Sequence, residues 1–200
     1  MTYRIHLTGA EACPEVVIRF RQEICRGVGL NPEGPAAQPL DVASYLFAMV
    51  DGCSPPVGMI EFFFYDQAFR SFSDAVYSQA ADLGAIAPMS EMAHIRSVFV
   101  AADWRRTPLF RYLMAAMVVS AHRMGARYMT AGTGLHNRAI LALHRRAGMA
   151  PLGQYEVDGS AQQLSLLQLD LIVPRAEAIL EGGVDFDDSL AQALRQRKVS

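Results

Sequence analysis

The chain has 200 residues, 52% of them hydrophobic, and a formal net charge of −2 at pH 7. This length and composition fit one domain with a sizeable apolar core. No apolar run reaches the roughly 18 residues that a membrane-spanning helix requires, and the first residues lack the apolar segment of a signal peptide. Cys13, Cys25 and Cys53 are odd in number and lack metal-ligand spacing. We therefore expect reduced thiols, a cytoplasmic location, no membrane span and no metal.

The small net charge hides an uneven distribution. From Arg96 to Arg146 there are nine arginines and a single acid, Asp103, whereas the rest of the chain has nine basic and nineteen acidic residues. Such a segment indicates either an anionic ligand or partner that binds there, or arginines that pair with the acidic remainder of the chain. The segment is not interleaved with aromatic residues as in nucleic-acid-binding proteins, so we expect no nucleic-acid partner.

The first half of the chain predicts one helix followed by strands. Val16, Val17, Phe20 and Ile24 form an apolar stripe at helical spacing. Turn residues between two runs of β-forming residues predict an antiparallel hairpin. In chain order the elements are a helix at 15–27, a Pro/Gly loop at 31–39, strands at 43–50 and 57–65 around a turn at 51–56, an insertion at 66–89 and a strand at 93–100.

The second half predicts helices alternating with strands. Leu109, Leu113 and Met117 repeat at four-residue spacing, and Gly125 ends that helix. In chain order the elements are a helix at 108–124, a strand at 127–132, a helix at 137–146, strands at 154–157 and 163–172, and terminal helices at 174–180 and 187–197. The terminal helices offer a surface for a second copy of the chain, so a homodimer is one expectation.

Two motifs lie in the basic segment. In the first, the strand at 93–100 ends at Val100, and Trp104 and Arg105 follow before an apolar helix opens. The second motif begins at the helix of 137–146; its members, in order, are Asn137, His144, Gly148 and Met149. An arginine-bearing turn between a strand and a helix is a natural site for a phosphate or another anion.

These motifs and the order of elements resemble the GCN5-related N-acetyltransferase (GNAT) superfamily over residues 12–172. The resemblance implies an α/β (α+β) fold: a central, mixed, mostly antiparallel sheet with helices on both faces, splayed at the strand before the donor-binding loop. We expect this domain at 1–173 and a C-terminal helical extension at 174–200.

The first motif departs from the superfamily's usual pattern at two glycine positions, which Pro108 and Phe110 occupy. Proline has no N–H to donate, and phenylalanine fills space that a diphosphate would otherwise approach. In this the chain is similar to a divergent branch, the acyl-homoserine-lactone synthases and long-chain N-acyl amino acid synthases, which take the acyl group from acyl carrier protein. Arg96 matches that branch's arginine, but Ala93 stands where its acid is expected.

The resemblance also implies a donor site for acyl-CoA or for the acyl-phosphopantetheine of acyl carrier protein. Backbone N–H groups at the end of the strand would polarise the thioester carbonyl, the loop would hold phosphate, and Asn137 would contact the pantetheine arm, cap its helix, or do both. The residues assigned to the donor are Val98, Phe99, Val100, Arg105, Arg106, Thr107, Leu109, Phe110 and Asn137.

Three side chains are candidates for proton transfer. His144 stands where the superfamily has its tyrosine acid, or it is a surface histidine. His94 and Arg96 share a face of the strand by period two, as a base and a clamp for an acceptor carboxylate, or as a strand-end histidine and a solvated arginine. Glu61, flanked by apolar residues, either faces solvent or is a functional carboxylate.

These features predict an N-acyltransferase that moves an acyl group from a thioester carrier to a small amine such as an amino acid, in one ternary complex. The aromatic run at 62–65 is either core or part of a groove for a long acyl chain. The alternatives are a conventional acetyl-CoA-dependent N-acetyltransferase and a degenerate GNAT fold that binds a ligand or partner without catalysis.

Overall fold

A computed structural model describes residues 2–9, 15–27, 29, 31, 43–51, 55–66, 86–157, 159–187 and 189. The strands are β1 (Tyr3–Gly9), β2 (Ser44–Val50), β3 (Gly58–Phe64), β4 (Met92–Val100), β5 (Tyr128–Gly134), β6 (Ala150–Val157), β7 (Ser160–Gln168) and β8 (Val184–Asp187). The helices are α1 (Glu15–Gly27), α2 (Leu109–Arg123), α3 (Arg138–Arg146) and α4 (Val173–Glu181). Short 3₁₀ turns lie at Met89–Glu91, Ala102–Trp104 and Leu169–Leu171.

These strands form one eight-stranded sheet in the order β6-β7-β5-β4-β3-β2-β1-β8. Five neighbouring pairs are antiparallel, and two, β4 with β5 and β1 with β8, are parallel. The mixed, mostly antiparallel α/β sheet predicted from the GNAT resemblance is therefore confirmed. Among the described helices, none is long and apolar enough to cross a membrane.

The sheet splits between β4 and β5. The two strands pair from Met92 with Tyr128 to Ile95 with Ala131, and beyond that point β4 stays with β3 while β5 stays with β7. A β-bulge accompanies the split, because Arg96 is an extra residue of β4 between two that pair with β3. Bulges bend the strand that carries them, so the bulge accounts for the direction in which β4 leaves β5. The predicted splay is confirmed.

Both faces of the sheet are covered. On one face, which we call the cavity face, α2 and α4 pack against β-strand residues such as Ile95 and Ala131. Leu113 and Met117 of α2 are fully buried there, and each burial contributes about 1.5–3 kcal/mol. On the other face, α1 packs Val17 onto a cluster of apolar strand residues. The aromatic run at 62–65 is buried, which confirms its interpretation as core.

The strands at the two ends of the chain have no counterpart among the predicted elements. β1 shows the period-two pattern expected of a strand, with Tyr3, Ile5 and Leu7 buried. β8 has four residues and is held by its pairing with β1. The predicted strand at 163–172 instead ends at Gln168, where a 3₁₀ turn follows. β6 begins at Ala150, four residues before the predicted strand.

Several predictions fall partly or wholly outside the described residues. They are the loop at 31–39, most of the insertion at 66–89, Cys13, Cys53 and nearly all of the helix at 187–197. Asp187, the first residue of that predicted helix, ends β8 instead. Cys25 is a buried free thiol on α1. α4 and β8 pack on α2 and β1, so the described part of the extension from 174 joins the same sheet and helix layer.

Candidate active site

A cavity of about 450 Å³ opens at the split, on the cavity face. Its walls come from the diverging ends of β4 and β5 and from α2, α3 and α4. Most lining side chains are apolar, and these include Val98, Phe110, Met114, Val118, Ile140, Leu143, Leu167, Ile172 and Ile179. This volume falls within the range of small-molecule sites, and its apolar walls suit an acyl chain or a pantetheine arm.

The loop between β4 and α2 uses much of its hydrogen-bonding capacity internally. The Thr107 hydroxyl donates to the Trp104 carbonyl at 2.7 Å and accepts from the Leu109 amide at 3.3 Å. The Thr107 amide also donates to Trp104. Two of the three amides assigned to the donor are therefore engaged within the loop. At the start of a helix the next N–H groups, here Phe110 and Arg111, have no carbonyl partner in the helix itself.

The two loop arginines point outward. Arg105 and Arg106 are exposed, and the Arg105 Nε donates to the Val100 carbonyl at 3.1 Å. Of the three assigned residues at the end of β4, Val98 lines the cavity, whereas Phe99 packs on the face that α1 covers. Positive charge at the cavity itself comes from other arginines.

Three exposed arginines line the cavity, each from a different helix. Arg111 lies on α2, Arg146 ends α3, and Arg175 lies in the first turn of α4. Guanidinium groups bind phosphate and carboxylate through paired N–H donors. The rim of an otherwise apolar cavity is thus built to meet anions.

His144 lies at the cavity, between α3 and β7. Its side chain is half-buried, and its Nδ1 lies 3.3 Å from the Oγ of the buried Ser165. Burial lowers the pKa of His144, which increases the neutral fraction of the imidazole near pH 7. The Asn137 side chain accepts from the Ile140 amide at 3.3 Å, so its predicted role as a helix cap is confirmed.

A buried ion cluster lies on the face opposite the cavity face. Glu61 on β3 is 0% exposed, and its carboxylate lies 2.9 Å from Nη1 of Arg21 on α1 and 2.7 Å from Nη1 of Arg96 on β4. The Tyr45 hydroxyl donates to the same carboxylate at 3.0 Å. Glu61 thus provides, from the neighbouring strand, the acid that the chain lacks at Ala93.

Arg96 belongs to this cluster and also lines the cavity. Its side chain is 21% exposed, so part of the guanidinium group is accessible while the rest is held by Glu61. The alternatives of a solvent-facing glutamate and a solvated arginine are therefore excluded.

His94 lies in a second buried network on this opposite face. Its Nδ1 is 2.8 Å from the Thr130 hydroxyl and 3.1 Å from the Tyr65 hydroxyl, and those two hydroxyls are 2.6 Å apart. Burial lowers the pKa of His94 to about 3, so the ring is neutral at physiological pH and a weak proton acceptor. Within the part of the chain that the structure describes, neither His94 nor Glu61 lines the cavity.

Several residues of these networks have no motif in the sequence. Arg21 carries one local signal, because it lies four residues after Val17 and so on the apolar side of α1. Ser165 carries none, since it reaches His144 only after β7 has paired with β5. No group of metal-binding side chains occurs among the residues that were described.

Comparison with known proteins agrees with this geometry. The model of the acetyltransferase (GNAT) family matches residues 22–149. BjaI, a CoA-dependent acyl-homoserine lactone synthase whose structure contains MTA, superposes with a TM-score of 0.70 at 19% identity, covering 98% of this chain and 99% of that chain. BjaI with SAM and isopentyl-CoA gives a TM-score of 0.69 at 18% identity, again covering 98% of this chain and 99% of that chain.

A more distant structure shares the same fold. It is yncA, a putative acetyltransferase from Salmonella typhimurium with acetyl-CoA, with a TM-score of 0.55 and 16% identity over 85% of this chain and 95% of that chain. At identities this low, such likenesses show a shared fold. A search among curated proteins gave no match.

Proposed function

Because this chain belongs to the acetyltransferase (GNAT) family and is an N-acyltransferase, we propose that it transfers an acyl group longer than acetyl from coenzyme A to an amino-acid-like amine. The observation that carries this proposal is the apolar cavity at the split, whose side chains from three helices exceed what an acetyl group needs. Such walls accommodate several methylene groups, each of which gains about 0.8 kcal/mol on burial.

On the cavity face, the thioester would lie in the split beside the end of β4. Backbone groups of β4 beyond Ile95 no longer pair with β5, so they are available to polarise the acyl carbonyl. The rim of Arg111, Arg146 and Arg175 supports a donor with several phosphates, as coenzyme A has.

On the opposite face, Arg96 would bind the carboxylate of the acceptor. Glu61 holds this guanidinium group in place, so little side-chain freedom remains to be lost when a ligand binds. The acceptor's neutral amine would then attack the carbonyl carbon through the split and form the C–N bond. The C–S bond breaks, coenzyme A leaves as the thiolate, and the proton lost by the amine is delivered to that sulfur. His144, beside the cavity, is the candidate carrier of this proton.

We further propose S-adenosylmethionine as the acceptor. It has the α-amino and carboxylate groups that this arrangement requires, and the structure of BjaI contains SAM together with isopentyl-CoA. After acylation, the acceptor's carboxylate oxygen would attack the carbon attached to the sulfonium. That step closes a lactone and releases methylthioadenosine, and it needs no further reactant.

The proposal is tested by supplying the purified chain with S-adenosylmethionine and acetyl-, isopentyl- or decanoyl-CoA. Mass spectrometry would detect the acylated lactone and methylthioadenosine, and a thiol reagent would follow release of coenzyme A. We expect turnover with the longer donors that exceeds turnover with acetyl-CoA. Omission of the acceptor is the control for simple thioester hydrolysis.

Two outcomes would contradict the proposal in different ways. Faster turnover with acetyl-CoA would make the chain a conventional acetyltransferase. Turnover with acyl groups on acyl carrier protein but with none of the coenzyme A thioesters would move the donor to the carrier protein. Replacing S-adenosylmethionine by methionine or by free amines in the same assay identifies the acceptor class.

A further inference from the structure

Tyr155 of β6 has a position that neither the motifs nor the proposed donor and acceptor contacts explain. Its ring is buried on the face opposite the cavity face, in a cluster with Tyr65, Met92 and Leu164. Its hydroxyl lies 1.8 Å from the point where a Cβ on Gly132 would stand. Any larger residue at 132 would therefore displace the tyrosine, and glycine is what lets the hydroxyl touch the backbone of β5.

The contact with Gly132 places this hydroxyl at the split. Ala131 is the last residue of β5 that pairs with β4, and Gly132 follows it and lines the cavity. Thr130, two residues earlier, bonds to His94 on the face opposite the cavity face, so by period two position 132 faces the same way. The hydroxyl thus approaches, from the acceptor's side, the gap through which the amine would attack.

The hydroxyl has no assigned partner in the protein. Among the residues that the structure describes, none accepts a hydrogen bond from it, although Tyr155 is only 6% exposed. Buried hydroxyls are nearly always hydrogen-bonded, and an exception requires an explanation such as a ligand. Burial raises the pKa of Tyr155 to about 12, so the phenol keeps its proton near neutral pH and acts as a donor.

We propose that Tyr155 is a further catalytic residue, whose hydroxyl donates a hydrogen bond to the carbonyl oxygen of the acyl group held in the split. When the amine forms the C–N bond, the carbonyl π electrons move to this oxygen, and the hydrogen bond stabilises the oxyanion. When the carbonyl re-forms and the C–S bond breaks, the charge leaves with the thiolate. The phenol keeps its proton throughout. This role rests on the acyl transfer of the proposed function and on no particular acceptor.

Tyr155→Phe tests the role, because the ring remains and only the hydroxyl is lost. We expect kcat to fall about 10²-fold with little change in the KM for the donor or in Tm, as when one donor to an oxyanion is removed. Tyr128→Phe is the matched control, since Tyr128 packs against the same cluster. A Tyr155→Phe enzyme with kcat equal to that of the Tyr128→Phe control would overturn the proposal.

Gly132→Ala provides a second, independent variant. The added methyl group should push the hydroxyl away and lower kcat to a similar extent, and the double variant should be no slower than the slower single variant. Losses that simply multiply in the double variant would show that the hydroxyl is not what Gly132 protects, and would overturn the proposal.

A spectroscopic measurement separates this role from the proposed function. The infrared carbonyl band of ¹³C-labelled isopentyl-CoA should shift to lower frequency on binding to the wild-type chain, and the shift should shrink in Tyr155→Phe. An unchanged shift in the variant, with turnover intact in the wild type, would overturn the role of Tyr155 alone. A donor that neither binds nor turns over would overturn the proposed function and this role together.

Discussion

At the split between β4 and β5, the two faces of the sheet are built from different interactions. The cavity face offers apolar walls with exposed arginines at the rim, such as Arg111 and Arg146. The opposite face offers charged and polar side chains that already bind one another, with Glu61 between Arg21 and Arg96. The contrast separates two modes of recognition: shape and solvent-screened charge for a long flexible donor, and a pre-arranged charge for a small acceptor.

If the opposite face depends on buried polar networks, its largest liability is acid, and His94 is the group that responds. Burial lowers its pKa from 6.5 in the unfolded chain to about 3. As the pH falls below about 6.5, the unfolded state takes up the proton first. Stability that is fully present above that pH is therefore lost progressively until about pH 3. Each tenfold difference in proton affinity between the folded and unfolded chains is worth about 1.4 kcal/mol, so the loss approaches roughly 5 kcal/mol.

Urea unfolding at several pH values between 7 and 4 would measure this loss in the wild type and in His94→Gln. The variant should show a flatter dependence on pH, because glutamine does not titrate. His136→Gln, at an exposed histidine next to α3, is the control and should follow the wild type. Equal slopes in all three proteins would show that His94 is not the buried neutral group described here.

The next largest effect is expected at Glu61. Glu61→Gln leaves Arg21 and Arg96 without their carboxylate in a buried environment, which should lower the free energy of unfolding by about 3–5 kcal/mol. Glu15→Gln is the matched control, since its pair with Arg19 is exposed and should contribute little. The KM for the acceptor should also rise in Glu61→Gln, because Arg96 loses its anchor. A stability loss no greater than that of Glu15→Gln would refute the energetic difference between the two surroundings.

On the cavity face, the largest effect should come from His144. His144→Phe fills the same space without a titratable nitrogen, and we expect kcat to fall about 10²-fold while donor affinity, measured by calorimetry, is retained. Ser165→Ala removes the hydroxyl 3.3 Å from Nδ1 and should give a smaller loss by releasing the orientation of the ring. Unchanged turnover in His144→Phe would remove this histidine from the mechanism.

The smallest effect should come from the arginine rim. Arg111→Gln should weaken binding of the coenzyme A thioester a few-fold at low salt, or about 0.5–1 kcal/mol, because an exposed charge contributes little. The difference should disappear at high salt, where screening removes it. Arg26→Gln, at an exposed arginine at the end of α1, is the control. A loss for Arg111→Gln that persists at high salt would mean that the rim binds through fixed, desolvated contacts.

Local pattern was enough to predict much of this fold. The helix at Glu15–Gly27 and the helix that opens after Pro108 follow from apolar spacing and glycine or proline signals. The two motifs ending at Phe110 and Met149 identified the family and the split in the sheet, because they are runs of neighbouring residues. His144 at the cavity was also within reach, since its position is counted along one helix.

Contacts between distant parts of the chain were decided by the tertiary structure. Glu61 meets Arg96 because β3 pairs with β4 in a register that a bulge shifts by one residue. Tyr155 reaches Gly132 because β7 lies between their strands and sets their distance. Strand register depends on the whole set of packed side chains, and the spacing of residues along one segment does not contain it. The same pairing buries His94 and lowers its pKa, so its charge state also follows from the assembled sheet.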